Sequence, residues 1–134
     1  MKEKNRVFGL LGRNIDYSFS RGYFTEKFEK EGIDAVYKNF DLEDISELSG
    51  VLEKQSIHGL NVTIPYKEEV IPYLDELDKT AQKIGAVNTV VFREGKRIGF
   101  NTDCIGFERA LKTKLKSHHK KALVLGTGGA SKAI

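Results

Sequence analysis

Val7-Phe8-Gly9-Leu10-Leu11, a polar stretch over residues 12–20, Phe24 and Phe28 four residues apart, Gly32, and Ala35-Val36-Tyr37-Lys38-Asn39-Phe40 follow one another in that order. The first run is short, apolar and uninterrupted, which predicts a buried strand. Phe24 and Phe28 lie on one face of a helix, with Ser18 or Ser20 as its N-cap and Gly32 as its stop. Residues 35–40 predict a second strand. A strand, a helix and a second strand in succession favour a parallel sheet with helices packed on it.

The same alternation continues. Ile45, Leu48 and Leu52 share a face, predicting a helix over residues 45–54. Residues 58–64 predict a third strand closed by Pro65. Two helical stretches are expected at residues 66–73 and 75–84, the second ended by Gly85. Residues 86–92 are rich in β-branched side chains, and Gly95 predicts a tight turn into a hairpin partner at 97–101. Phe107, Leu111 and Leu115 at i, i+4 and i+8 predict a helix over 102–116. One more strand is expected at 121–125, and glycines follow it. The expected fold is an open three-layer α/β/α domain with a mostly parallel, mixed sheet. After it come the first strand and glycine turn of a truncated Rossmann domain. The basic stretch 116–120 marks the boundary, giving units of 1–118 and 119–134.

With 134 residues the chain suits one compact domain, or one domain and the start of another. A net charge of +3, with acidic and basic residues interleaved, argues against a nucleic-acid partner. The single cysteine, Cys104, allows no intrachain disulfide and fits a reducing compartment. The basic N-terminus precedes too short an apolar run for a signal peptide, and no run approaches a membrane span. The expectation is a cytoplasmic protein without a membrane partner.

Five segments carry residues suited to chemistry. In Asn61-Val62-Thr63-Ile64-Pro65-Tyr66-Lys67, proline suits the first position of a helix and would place Lys67 in its first turn. The helix field there disfavours a cation, the kind of perturbation that tunes a catalytic lysine. A solvated surface lysine is the plain alternative. In Asn101-Thr102-Asp103 a strand passes into a helix; Thr102 or Asp103 is a natural N-cap, while a carboxylate at a strand end could also pair with Lys67. Ser18 and Ser20 project to one side of an extended segment, ready for a carboxylate or polyol, or else cap a helix. Asn88, inside an apolar strand, needs partners, either backbone or a ligand. Gly126-Thr127-Gly128-Gly129-Ala130-Ser131 follows an expected strand, where a glycine turn lets backbone approach a pyrophosphate. Ser131 replaces the third glycine of the usual pattern. No metal-ligating spacing is present.

Tyr17-Ser18-Phe19-Ser20, Asn61 to Lys67, Gly85-Ala86-Val87-Asn88-Thr89, Gly99-Phe100-Asn101-Thr102-Asp103 and Gly126 to Ser131 together resemble the shikimate dehydrogenase family, in its order and approximate spacing. The resemblance covers nearly the whole chain. It implies NADP-dependent, reversible reduction of 3-dehydroshikimate to shikimate in aromatic amino-acid (chorismate) biosynthesis, with a substrate-binding N-terminal domain and a Rossmann cofactor domain. It further implies that Ser18 and Ser20 hold the substrate carboxylate. Asn61, Thr63, Asn88 and Asp103 would bind ring hydroxyls. Lys67 and Asp103 would form the catalytic pair, and Gly126, Gly128, Gly129, Ala130 and Ser131 would begin an incomplete NADP site.

The chain departs from the family pattern at Tyr17, where histidine is common, at Arg21, where proline is common, and at Cys104, where glycine is frequent. It is about half a family member's length, so little dehydrogenase activity is expected from it alone. An NAD-linked quinate/shikimate dehydrogenase and a non-catalytic shikimate-binding short protein are the competing readings. Self-association through the strand at 121–125 is a further expectation, because a strand without sheet neighbours leaves an open edge.

Overall fold

The computed structural model describes residues 6–134, so the reading of the basic start at residues 1–5 lies outside the described residues. Six strands form one sheet in the order β2-β1-β3-β5-β6-β4. They are β1 (Arg6–Gly12), β2 (Ala35–Asp41), β3 (Ile57–Val62), β4 (Glu76–Leu77), β5 (Thr89–Arg93) and β6 (Lys96–Phe100). β1 pairs in parallel with β2 and β3, and β4 with β6. β5 is antiparallel to both its neighbours. The sheet is therefore mixed and mostly parallel. Its hairpin turn holds Glu94 at φ 51 and Gly95 at φ 74. Positive φ at both central positions matches the right-handed twist of the flanking strands.

Side chains of β1 alternate between two cores. Leu10 joins Phe28, Ala35 and Tyr37 on one face, where α1 (Ser20–Lys30) packs. Phe24 stacks on Tyr37 with ring centroids 4.6 Å apart. Leu11 joins Phe40, Leu48, Leu60, Val62, Val87 and Val90 on the other face, under α2 (Leu48–Lys54) and α3 (Lys79–Ile84). Burial on both faces is why residues 7–11 read as a continuous apolar run rather than an alternating one. The α1 stop is as expected: Gly32 adopts φ 63, and the Ile33 N–H reaches the Phe28 carbonyl at 2.8 Å. The helix expected at 45–54 begins as a 3-10 turn, Ile45–Glu47, closed by an Asp44/Glu47 capping box.

Several expectations are corrected. Neither serine is the N-cap of α1: Phe19 holds that position with no side-chain cap, and Ser20 is the first helical residue. Residues 66–73 form turns and a 3-10 segment, Ile71–Tyr73, instead of a helix. The Lys67 carbonyl accepts from the Val87 N–H at 2.7 Å, and the Tyr66 hydroxyl donates to the Leu42 carbonyl at 2.5 Å. The Lys67 carbonyl is thereby lost to a helical ladder, while the Val70 N–H still reaches the Tyr66 carbonyl at 2.9 Å. Residues 75–78 are likewise spent on the sheet, because Glu76 and Leu77 pair with Ile98 and Gly99. Asp78 then caps a shorter α3 through the Ala81 N–H at 2.8 Å.

The helix after Asn101 is α4 (Asp103–Lys112), shorter than expected and without a buried residue. Residues 121–125 join no sheet, and Leu123, Val124 and Leu125 are exposed. A strand exists only where a neighbour takes its backbone bonds, and no described residue does so. A short α5 (Gly129–Lys132) follows the glycines. Among the described residues no helix is long and apolar enough to cross a membrane.

Candidate functional site

The carboxyl ends of β1 and β3 carry the first part of the site. Asp41, at the end of β2, accepts from the backbone N–H groups of Asn14 at 2.8 Å and Ile15 at 3.0 Å. This ties the loop after β1 back onto the sheet. Gly12 permits the approach, because a Cβ there would lie 2.5 Å from Ile15 Cγ2 and 2.7 Å from Thr63 Cγ2. The loop then presents Ser18 and Ser20 with their hydroxyls 3.2 Å apart. Ser18 Oγ also receives the Ser20 N–H at 3.3 Å. Ser18, Ser20 and Thr63 line one cavity of about 280 Å³ with Leu10, Tyr17 and Phe19.

Lys67 lies beyond β3, after the cis Ile64–Pro65 peptide. It is not in the first turn of a helix, so the helix-field argument for it falls. Its ammonium instead meets Asp103 Oδ2 at 2.6 Å, with the lysine side chain 15% exposed and the aspartate 37%. Asp103 is free for this contact because Asn101 does the capping. Buried Asn101 accepts from the Asp103 N–H at 3.0 Å and donates to the Ala86 carbonyl at 3.0 Å. The sequence assigned the cap to Thr102 or Asp103; Thr102 occupies the N-cap position but makes no side-chain cap bond. Asn101 was missed, although asparagine one residue earlier is an equally good capping type.

Asn61, on β3, and Asn88, one residue before β5, are linked by a series of side-chain hydrogen bonds. Tyr37 and Asn61 are 2.9 Å apart, Asn61 and Thr89 3.5 Å, Thr89 and Asn88 3.1 Å, and Asn88 and Thr102 2.8 Å. Asn88 is not inside a strand as expected: β5 starts at Thr89, and Asn88 is only partly buried just before it, with its backbone bonded to Phe100 and Val62 and its side chain to Thr89 and Thr102. Tyr37 and Thr89 carried no expectation from the sequence, since each reads as an ordinary strand residue.

The glycine segment also reaches Lys67. A Cβ on Gly129 would sit 2.7 Å from Lys67 Cβ and 3.3 Å from Ala86 Cβ, and Lys132 pairs with Glu68 at 2.9 Å. Lys67 therefore lines two cavities. One, of about 380 Å³, is shared with Asp103, Thr102 and Phe107; the other, of about 360 Å³, with Gly126, Gly128, Gly129, Ala130 and Ser131. Gly129→Ala is expected to lift α5 off Lys67. Amide hydrogen exchange should accelerate over residues 128–134 while β1 and β3 keep their protection, because the surface pair lost with it is worth about 0–1 kcal/mol.

Not every expected residue shares one space. The serines and Thr63 occupy one cavity, Lys67 and Asp103 another, and Asn61 borders an apolar one of about 300 Å³ beneath α1. Among the described residues no cluster of three or more His, Cys, Asp or Glu could hold a metal ion.

The fold and the site define a class: an open α/β domain that carries polar side chains at the carboxyl ends of β1, β3 and β6, the edge where small ligands bind in such sheets. The family model described as the shikimate dehydrogenase substrate binding domain matches residues 10–90, and the chain belongs to that family. An NADP(+)-type shikimate dehydrogenase of Pyrococcus abyssi is 42% identical over 129 residues, covering 96% of this chain and 49% of that protein. The crystal structure of shikimate dehydrogenase 1 from Peptoclostridium difficile superposes with a TM-score of 0.86 at 44% identity, covering 96% of this chain and 50% of that one. Shikimate 5-dehydrogenase from Thermus thermophilus, in complex with NADP(H) and shikimate, gives 0.82 at 38% identity, covering 96% and 50%. The chain thus spans about half the length of the relatives it matches.

Proposed function

We propose that this chain is the substrate-binding part of an NADP-dependent shikimate dehydrogenase, and that its catalytic pair is Lys67 and Asp103. The observation that carries this reading is the 2.6 Å contact between a mostly buried ammonium and a partly exposed carboxylate, formed by residues 36 positions apart. Ser18 and Ser20 hold the substrate carboxylate, and Asn61, Thr63, Asn88 and Asp103 bind ring hydroxyls. Residues 1–118 form the substrate unit. Residues 119–134, with Gly126, Gly128, Gly129, Ala130 and Ser131, start the cofactor unit. The exposed run at 121–125 then belongs to that unit's sheet, or pairs with a second copy of the chain.

The ketone carbon of 3-dehydroshikimate would receive hydride from a bound nicotinamide cofactor. Charge builds on the carbonyl oxygen, where the Lys67 ammonium stabilises it and donates a proton. Asp103, fixed by Asn101, orients the lysine and accepts from a neighbouring ring hydroxyl. The close approach of Gly129 to Lys67 supports placing the cofactor turn beside the reacting group.

Calorimetric titration of shikimate into the chain tests this. Saturable binding is expected, weakened about tenfold or more in Asp103→Ala, since hydrogen bonds to a charged group are worth about 1.5–3 kcal/mol. Equal heats with and without Asp103 would remove the carboxylate from the site.

A further inference from the structure

The bonds linking Tyr37, Asn61, Thr89, Asn88 and Thr102 can run in only one direction. The Thr102 backbone N–H can only donate, so the Asn88 atom 2.9 Å from it is the amide oxygen. The Thr89 hydroxyl lies 3.1 Å from that same oxygen and must donate to it. Thr89 Oγ1 therefore meets Asn61 as an acceptor, and the Asn61 atom 3.5 Å away is its NH₂ group. Asn61 Oδ1 is then turned toward Tyr37, whose hydroxyl donates to it at 2.9 Å. Tyr37 is buried, and burial pushes its ionisation well above the usual phenol range, so the hydroxyl keeps the proton it donates.

Each amide nitrogen carries two hydrogens. Asn88 uses one on Thr102 Oγ1 at 2.8 Å, and Asn61 uses one on Thr89. Both lone pairs of Asn88 Oδ1 are taken, and Asn61 Oδ1 faces the buried phenol. What remains for a ligand is one N–H from each asparagine and one lone pair of Asn61 Oδ1, while Asn88 has no acceptor left.

We propose that Thr89 and Tyr37 are positioning residues that fix which way the Asn88 and Asn61 amides face, so that Asn88 meets a ligand only as a hydrogen-bond donor and Asn61 keeps one N–H for a ligand oxygen. This rests on the functional reading above, which makes the two asparagines ligand contacts. A ligand oxygen at Asn88 can then only accept from it. This disfavours an analogue that presents an N–H toward Asn88, whose oxygen has no lone pair left.

Thr89→Val keeps the branched shape of the side chain and its strand preference but removes the hydroxyl; Thr89→Ser keeps the hydroxyl. Shikimate titrated into the chain should bind roughly 5–10-fold more weakly in Thr89→Val and in Tyr37→Phe, the size of one hydrogen bond. Thr89→Ser should stay within about twofold of the unsubstituted chain, and amide exchange in β5 should be unchanged in both Thr89 variants. Thr89→Val binding as tightly as the unsubstituted chain, while Asn88→Ala weakens binding, overturns the positioning role alone. Equal weakening in Thr89→Val and Thr89→Ser also overturns it, because packing then explains the loss. No shikimate response in the unsubstituted chain, or full binding in both Asn61→Ala and Asn88→Ala, overturns the functional reading and this one with it.

Discussion

Lys67→Met is expected to lower kcat about 10²–10⁴-fold in a dehydrogenase carrying this segment with its cofactor-binding half, the range a positioned general acid contributes. Methionine keeps roughly the length and the apolar stem of lysine, so the packing against Gly129 survives. What is lost is the charge 2.6 Å from Asp103. The stability cost is small by comparison. Asp103 is 37% exposed and regains water, so the broken pair costs on the order of 1 kcal/mol or less. A 10²–10⁴-fold rate loss corresponds to about 3–5.5 kcal/mol at the transition state. Steady-state assays in both directions, beside thermal unfolding, separate the two effects. A loss of rate that tracks loss of fold would count against a chemical role.

Leu11→Ala has the opposite signature. Leu11 is fully buried on the central strand β1, within the larger core. Truncating such a side chain costs about 2–5 kcal/mol, from lost transfer energy and the cavity left behind. Domains of this size are stable by about 5–15 kcal/mol, so the change removes a large share of the total. The urea midpoint is expected to fall sharply with little change in slope. The Leu11 backbone carbonyl still accepts from the Thr63 N–H at 2.9 Å, which keeps the site end of β1 joined to β3. Shikimate affinity of the folded fraction should therefore stay near that of the unsubstituted chain.

These two residues also mark how far the sequence could be read. Leu11 announces its burial through its neighbours, because an apolar run between turn signals is a local pattern. Lys67 and Asp103 do not announce their contact. Each has an adequate local explanation, and only their place among five ordered motifs, matching those of a known family, joined them. The reason given for Lys67 from its own segment was wrong, since residues 66–73 are not a helix.

What the sequence by itself determined is everything set by short-range periodicity and backbone preference. β1, β2 and β3, the α1 stop at Gly32, the hairpin turn at Glu94 and Gly95, and the mixed, mostly parallel sheet were all legible in it. Tertiary structure alone decided where local patterns compete with distant partners. Val87 takes the Lys67 carbonyl and undoes a plausible helix; Asn101 takes the cap and releases Asp103 to the lysine. Residues 121–125 stay outside the sheet because no described residue takes their backbone bonds. In each case the hydrogen bonds that form, or find no partner, outweigh a preference of a few tenths of a kcal/mol per residue, roughly the scale of local propensity.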